Sequence, residues 1–514
     1  MVNKVAIRRL PTGVPGLDDV LGGGLPEFSF NLIAGTPGAG KTTLAQQIMF
    51  ALAAPDRRAL YCTVLGEPSL KMLRYQQQFT FFDIGKVDDS IRFVNLAQQA
   101  REGGLGAVLK GIAEEVERES PAIVIVDSFR SIVQAPARPD AAPFELLDFV
   151  QELGLRLTGW EATTFLVGEY QPLECEDNPV FTVADGIYWL YQAVDRNSMV
   201  RKLQVIKCRG QAPIPGLHTF RITADGVQVF PRMILAPAAP QHAAPPAPGE
   251  GPGTGPASTG PATPPRLSTG NTRLDEMLGG GVPTGFSVLV AGPSGSGKTV
   301  LATEFISEGA RRGEPGVIAV FEKRPSEYSQ VVVRAFDGFV RSGRIGLVHT
   351  RPLDLSIDET LFELTTMIRT LDAKRVVIDS LSGFELALAP TFREEFRESL
   401  YRMVALLTGM GVTVLMTAEL ENNYTDLRFS PHGTAFLTDA IILQRYVELS
   451  GRLKRMLSVV KVRGSSHANE LRLYDITDEG IVIGDVLDGY EGLLSGRPAA
   501  PGAASTPRRP RMRH

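Results

Sequence analysis

Two runs of eight residues in this chain have the types and spacing to hold phosphate. Gly35, Thr36, Pro37, Gly38, Ala39, Gly40, Lys41 and Thr42 form one. Gly292, Pro293, Ser294, Gly295, Ser296, Gly297, Lys298 and Thr299 form the other, at an offset of 257. Each spells G-x-x-x-x-G-K-T. A triphosphate carries several negative charges that need donors. The glycines let the backbone curl so that successive N–H groups point inward. Lys41 and Lys298 reach for the β- and γ-phosphates, and Thr42 and Thr299 offer hydroxyls to Mg2+. The ligand this chemistry suits is ATP with Mg2+. One such match in a long chain can be chance. Two at corresponding places in a repeat are not.

Carboxylates are needed next. Asp127 and Asp379 each end an apolar run, Ile123-Val-Ile-Val and Val376-Val-Ile, and precede a serine. A buried parallel strand delivers its last residue to the ligand edge of a sheet, where an aspartate can hold Mg2+. The alternative is an aspartate that caps a helix. Hydrolysis also needs a carboxylate to orient or deprotonate water. Glu67, before Pro68, and Glu322, three residues before Pro325, follow the next apolar runs, Ala59–Leu65 and Val317–Phe321. The two are not equivalent in position. Glu67 is also well placed to cap a helix starting at Pro68. Two cation pairs complete the set: Lys207 and Arg209, and Lys461 and Arg463, each before a glycine. They are far in sequence from their own loops. Such a pair can serve a neighbouring subunit's phosphate as an arginine finger in trans, or be a solvated strand end.

The elements that must position these residues are also duplicated. Phe28–Ala34 and Phe286–Ala291 are β-rich runs entering the loops, and helices over Thr43–Ala51 and Val300–Ala310 follow them, their positive ends toward the phosphates. Leu10-Pro-Thr-Gly13 matches Leu267-Ser-Thr-Gly270, Leu17-Asp18 matches Leu274-Asp275, and Leu21–Gly24 matches Leu278–Gly281. Lys207-Cys-Arg-Gly210 matches Lys461-Val-Arg-Gly464, and Ile222–Gly226 matches Ile476–Gly480. A period this long means two domains rather than a solenoid. They span 1–236 and 266–496. The Ala/Pro/Gly-rich segment 237–265 cannot bury a core and reads as a linker, and the basic segment 497–514 reads as a disordered tail.

Composition narrows the function classes. Of 514 residues 43% are hydrophobic, enough for two cores, and the net charge of −4 provides no global field toward nucleic acid or an anionic membrane. No apolar run reaches the length of a membrane span, and Met1–Arg9 does not read as a signal peptide. Cys62, Cys175 and Cys208 lack metal spacing and fit reduced thiols in a cytoplasm. The six histidines show no ligand pairing, which argues against zinc.

These residues resemble the KaiC family, the double-domain ATPase of the cyanobacterial clock and a member of the RecA-like superfamily. The resemblance rests on both STG…LD…LGGG segments, both phosphate loops, the Asp-Ser strands and both Lys-x-Arg-Gly segments. It rests more specifically on Thr438–Glu448 through Lys461–His467, and on Gly489–Arg497. It implies an α/β fold of two tandem RecA-like P-loop NTPase domains, each a mostly parallel sheet flanked by helices. It also implies a two-tiered hexameric ring, with ATP between subunits and each Lys-x-Arg facing the next protomer's γ-phosphate. Two departures stand out. The family's paired glutamates become Glu322-Lys323 in the second domain, and align with Leu65 and Gly66 in the first. The family's Ser-Thr autophosphorylation pair aligns with Ala435 and Phe436, which accept no phosphate, leaving Thr434 and Thr438 nearby.

The expected protein is therefore a KaiC-like ATPase whose ATP-dependent ring signals by conformation to a protein partner, with autokinase activity confined to a shifted acceptor. Its rivals are a RecA- or DnaB-like motor on DNA, which charge and aromatic content disfavour, and a scaffold that binds ATP without turning it over.

Overall fold

The computed structural model describes residues 7–64, 69–128, 144–171, 178–195, 198–233, 264–321, 335–349, 356–388, 396–420, 437–449 and 451–487. The chain forms two compact units, Met1–Met233 and Ile234–His514.

In the first unit a short ribbon, β1 (Arg9–Leu10) with β2 (Leu25–Pro26), precedes the main sheet. The sheet contains β3 (Phe30–Gly35), β4 (Ala59–Thr63), β5 (Ile91–Asn95), β6 (Ile123–Asp127), β7 (Thr163–Glu169), β8 (Gly186–Asp195), β9 (Ser198–Cys208), β10 (Leu217–Thr223) and β11 (Gly226–Phe230). Its order is β11-β10-β9-β8-β3-β7-β6-β4-β5. Strands β5, β4, β6, β7, β3 and β8 are parallel. The last three run antiparallel.

The second unit repeats this. A ribbon of β12 (Arg266–Leu267) and β13 (Val282–Pro283) precedes β14 (Ser287–Gly292), β15 (Gly316–Val320), β16 (Ile345–His349), β17 (Arg375–Asp379), β18 (Thr413–Glu419), β19 (Ala440–Leu449), β20 (Arg452–Val462), β21 (Arg472–Thr477) and β22 (Gly480–Val486). The sheet order, β16-β15-β17-β18-β14-β19-β20-β21-β22, is that of the first unit read from the other edge.

Alternation along the strands explains why both faces are covered. In the first unit Ile33, Tyr61, Ile125 and Phe165 enter one core layer, while Leu32, Leu60, Val124 and Leu166 enter the other. Each buried side chain of this size is worth about 1.5–3 kcal/mol. A one-residue slip of a strand would exchange the two faces, so the register is fixed. That register sets which residues meet at the sheet's ligand edge.

Element boundaries differ slightly from the sequence expectation, for local reasons. The first core strand starts at Phe30, because Phe28 takes a left-handed φ of 62° that breaks an extended run. The helices after the loops start at Lys41 and Lys298, two residues early, because Gly40 and Gly297 act as left-handed N-caps with φ of 102° and 95°. A Cβ on Gly40 would lie 2.6 Å from Ile222 Cδ1, and one on Gly297 2.7 Å from Ile476 Cδ1. Only glycine meets both conditions. The LGGG segments serve packing: a Cβ on Gly24 or Gly281 would lie 2.5 Å from the Leu10 or Leu267 carbonyl oxygen of the ribbon.

Candidate nucleotide sites

Strand order brings the loop and the strand-end aspartate together in each unit. Thr42 Oγ1 donates to Asp127 Oδ2 at 2.7 Å, and Thr299 Oγ1 donates to Asp379 Oδ2 at 2.8 Å. The pairs are 85 and 80 residues apart in sequence. The helix-cap alternative for the second aspartate fails: Ser380 caps the helix Leu381–Ala387 by accepting from Gly383 N, while Asp379 turns to the loop.

The lysines fold back onto their own loops. Lys41 Nζ donates to the Thr36 carbonyl at 2.8 Å, and Lys298 Nζ to the Gly292 and Pro293 carbonyls at 2.9 Å each. Burial lowers the pKa of Lys41, while the carboxylates of Glu169 and Asp127 act in the opposite direction. Burial raises the pKa of Asp127, opposed by hydrogen bonds from Tyr61 and Thr42 and by the Lys41 charge. An anion entering this loop therefore meets an ammonium already inside low-dielectric surroundings.

Four further site residues carry no local motif and were missed in sequence. Tyr61 OH donates to Asp127 Oδ2 at 2.7 Å from the neighbouring β4. In the second unit the aspartate's extra donor comes from the strand on its other side, Thr417 Oγ1 on β18 to Asp379 Oδ1. Glu169 ends β7 in register with Gly35, and Glu419 ends β18 in register with Gly292, so a carboxylate flanks each loop. The only available signal was that each ends an apolar run, as Asp127 does.

The paired cations lie at the other edge of the sheet. Lys207 and Arg209 flank Cys208, which is in register with Gly186, where β8 starts beside Asn31. Gly35 and its loop are toward the opposite end of β3, about 13 Å from Asn31 at strand rise. In the second unit Lys461 is in register with Ile441 and Ile441 with Leu289, and Arg463 N donates to Asp439 O, whose own N–H donates to Ser287 O at the start of β14. Neither pair can serve its own loop. Lys207 Nζ donates to the Thr182 carbonyl at 2.9 Å, and Lys461 Nζ to the Thr438 carbonyl at 2.6 Å. Burial, and then the adjacent arginine, lowers the pKa of each lysine.

Glu67, Glu322, Thr434, Ala435, Phe436, Cys175, Gly489–Arg497, the segment 497–514 and most of the linker lie outside the described residues. Thr438 is described and wholly buried. Among the described residues no cluster of three or more His, Cys, Asp or Glu could hold a metal, and no helix is long and apolar enough to cross a membrane.

Fold and site define a class: a double-domain P-loop ATPase of RecA-like architecture. Comparison with known proteins makes it specific. The family model for the KaiC ATPase matches twice, at residues 10–234 and 267–487. The circadian clock oscillator protein KaiC of Rippkaea orientalis is 27% identical over 510 residues, covering 96% of this chain and 92% of its own. KaiC 1 of Synechocystis sp. is 27% identical over 513 residues, covering 97% and 93%. KaiC of Prochlorococcus marinus is 26% identical over 507 residues, covering 96% of each. The chain belongs to the KaiC family.

Proposed function

We propose that this protein binds ATP at both loops, hydrolyses it with Mg2+ in the cytoplasm, and closes through the bound nucleotide into a hexamer whose conformation signals to a protein partner. One observation carries the reading. Both units place the phosphate loop with its Thr–Asp pair at one edge of the sheet and a Lys-x-Arg pair at the other. A subunit built this way has half a site on each side, which a head-to-tail ring completes.

The donor set fits Mg2+. A threonine hydroxyl and a carboxylate are hard oxygen ligands within hydrogen-bond distance of each other, and Mg2+ takes few protein ligands beside phosphate oxygens and water. When bound, the metal supplies charge neutralisation at the phosphates. The chain does the rest. Lys41 and Lys298 leave loop carbonyls for phosphate oxygens, and the loop N–H groups and helix N-termini cradle the charge. Glu67 and Glu322 are the proposed carboxylates for the attacking water. Arg209 and Arg463, with their lysines, stabilise charge at the next subunit's γ-phosphate. Water is the main acceptor: Thr438 is buried, and Ala435 and Phe436 stand where the family carries hydroxyls. Autophosphorylation is slow or absent.

Calorimetric titration with a non-hydrolysable ATP analogue tests the binding sites. Two nucleotides per chain are expected, and one in Lys41→Ala or Lys298→Ala. Two retained in either variant would show that loop to be misassigned. Phosphate release tests turnover. Full occupancy with no release above background would leave the nucleotide-dependent scaffold as the better reading.

A further inference from the structure

We infer that Asp185 and Asp439 are positioning residues that hold Arg209 and Arg463 in place for phosphate on the adjoining subunit. This rests on the trans assignment of those arginines proposed above. Asp185 Oδ1 accepts from Arg209 Nη1 at 3.0 Å, while its Oδ2 accepts from Phe30 N at 3.1 Å. Asp439 Oδ1 accepts from Arg463 Nη1 at 2.9 Å, while its Oδ2 accepts from Ser287 N at 3.0 Å and Ser287 Oγ at 2.9 Å. The backbone doubles each link. Asp185 N donates to Phe30 O and Arg209 N to Asp185 O; Asp439 N donates to Ser287 O and Arg463 N to Asp439 O. The same atoms thus do the same work in both units.

The aspartate is anchored to the first residue of the strand that carries the phosphate loop at its far end. Stability does not account for the repetition. Both pairs are half-exposed, with arginine side chains at 62% and 60% of full exposure, and such pairs stabilise a fold little. Geometry accounts for it better. A free arginine on a strand end samples many rotamers, and small misplacement of a charge-stabilising group costs rate steeply. Bonding through Nη1 alone fixes the fork. It leaves Nε and Nη2 without a hydrogen bond among the described residues, and these are the donors a phosphate takes in pairs. The lysine ammonium groups hydrogen-bond main-chain carbonyls, of Thr182 and of Thr438.

The test uses the full chain with ATP and Mg2+. Asn keeps an oxygen for the Phe30 and Ser287 N–H groups, so Asp185→Asn/Asp439→Asn should retain its unfolding temperature and two nucleotides per chain. We expect kcat to fall on the order of 10-fold with KM unchanged. Adding these changes to Arg209→Ala/Arg463→Ala should slow it no further. Asp185→Glu/Asp439→Glu, which keeps the charge but moves the carboxylate, should fall by the same order. The positioning role is overturned, with the trans reading intact, if the arginine variants are slow while the Asn or Glu variants turn over normally, or if the two sets of effects multiply. If the arginine variants turn over normally, the trans reading falls and takes this inference with it.

Discussion

Asp127 and Asp379 do one job with different helpers. Each takes a loop threonine, then a second donor: Tyr61 in the first unit, Thr417 in the second. Were Thr42 or Thr299 to turn to a metal, that second donor would still help to aim the carboxylate. Losing a hydrogen bond to a charged group costs about 1.5–3 kcal/mol. Tyr61→Phe and Thr417→Val should therefore each raise the Mg2+ concentration needed for half-maximal nucleotide binding at their own site, on the order of 10-fold. A Mg2+ titration of fluorescent nucleotide binding in each variant checks this, and an unchanged midpoint would count against it.

At the scale of elements, the helix after each loop is tied to the last strand by one side chain, and the two units use different chemistry. In the first, Gln47 gives Nε2 to Val227 O and takes Val227 N on Oε1. In the second, Glu304 takes Ile481 N on Oε1, and its buried Oε2 has no partner among the described residues. The Ile481 carbonyl is taken by Asn271. Burial pushes the Glu304 carboxyl up from its usual 4.5 to about 7. The neutral form is favoured in the folded chain, so this contribution to stability is complete below pH 4.5 and is lost as pH rises through about 7. The loss amounts to about 3 kcal/mol above that window. Glu304→Gln should raise the unfolding temperature of the second unit by several degrees at pH 8 and change it little at pH 5. An equal shift at both pH values would mean that packing, not ionisation, sets the difference.

For the whole molecule, the proposed completion of a site across subunits would make assembly a function of ATP. Saturating ligand adds about 4 kcal/mol per site at roughly 1,000 times Kd. Light scattering should report a hexamer in ATP and smaller species without nucleotide. Arg209→Ala and Arg463→Ala should weaken ring closure or turnover, although neither residue lies near its own loop. The same mass with and without ATP would overturn the ring. A second expectation concerns the acceptor. Autophosphorylation should stay slow and hydrolysis should persist in Thr434→Ala/Thr438→Ala, and should fall in Glu322→Gln. Rapid stoichiometric labelling of the unmodified chain that vanishes in the double variant would restore a kinase.

The sequence by itself determined the parts whose chemistry is local. Gly35–Thr42 and Gly292–Thr299 are contiguous, so backbone conformation, donors and helix start are written in one stretch. Asp127 and Asp379 were legible because an apolar run of strand length points its last residue at the ligand edge. The repeat fixed two domains of one fold. What lay beyond reach is set by strand order. Tyr61 and Thr417 reach the aspartates only because β4 and β18 lie beside β6 and β17. Glu169 and Glu419 flank the loops only through register with Gly35 and Gly292. The edge on which Lys207, Arg209, Lys461 and Arg463 stand, and the aspartates that hold the arginines, follow from antiparallel strands returning beside the core. Sequence carries propensity and pattern along the chain, whereas pairing between distant segments is decided by burying both faces of one sheet at once.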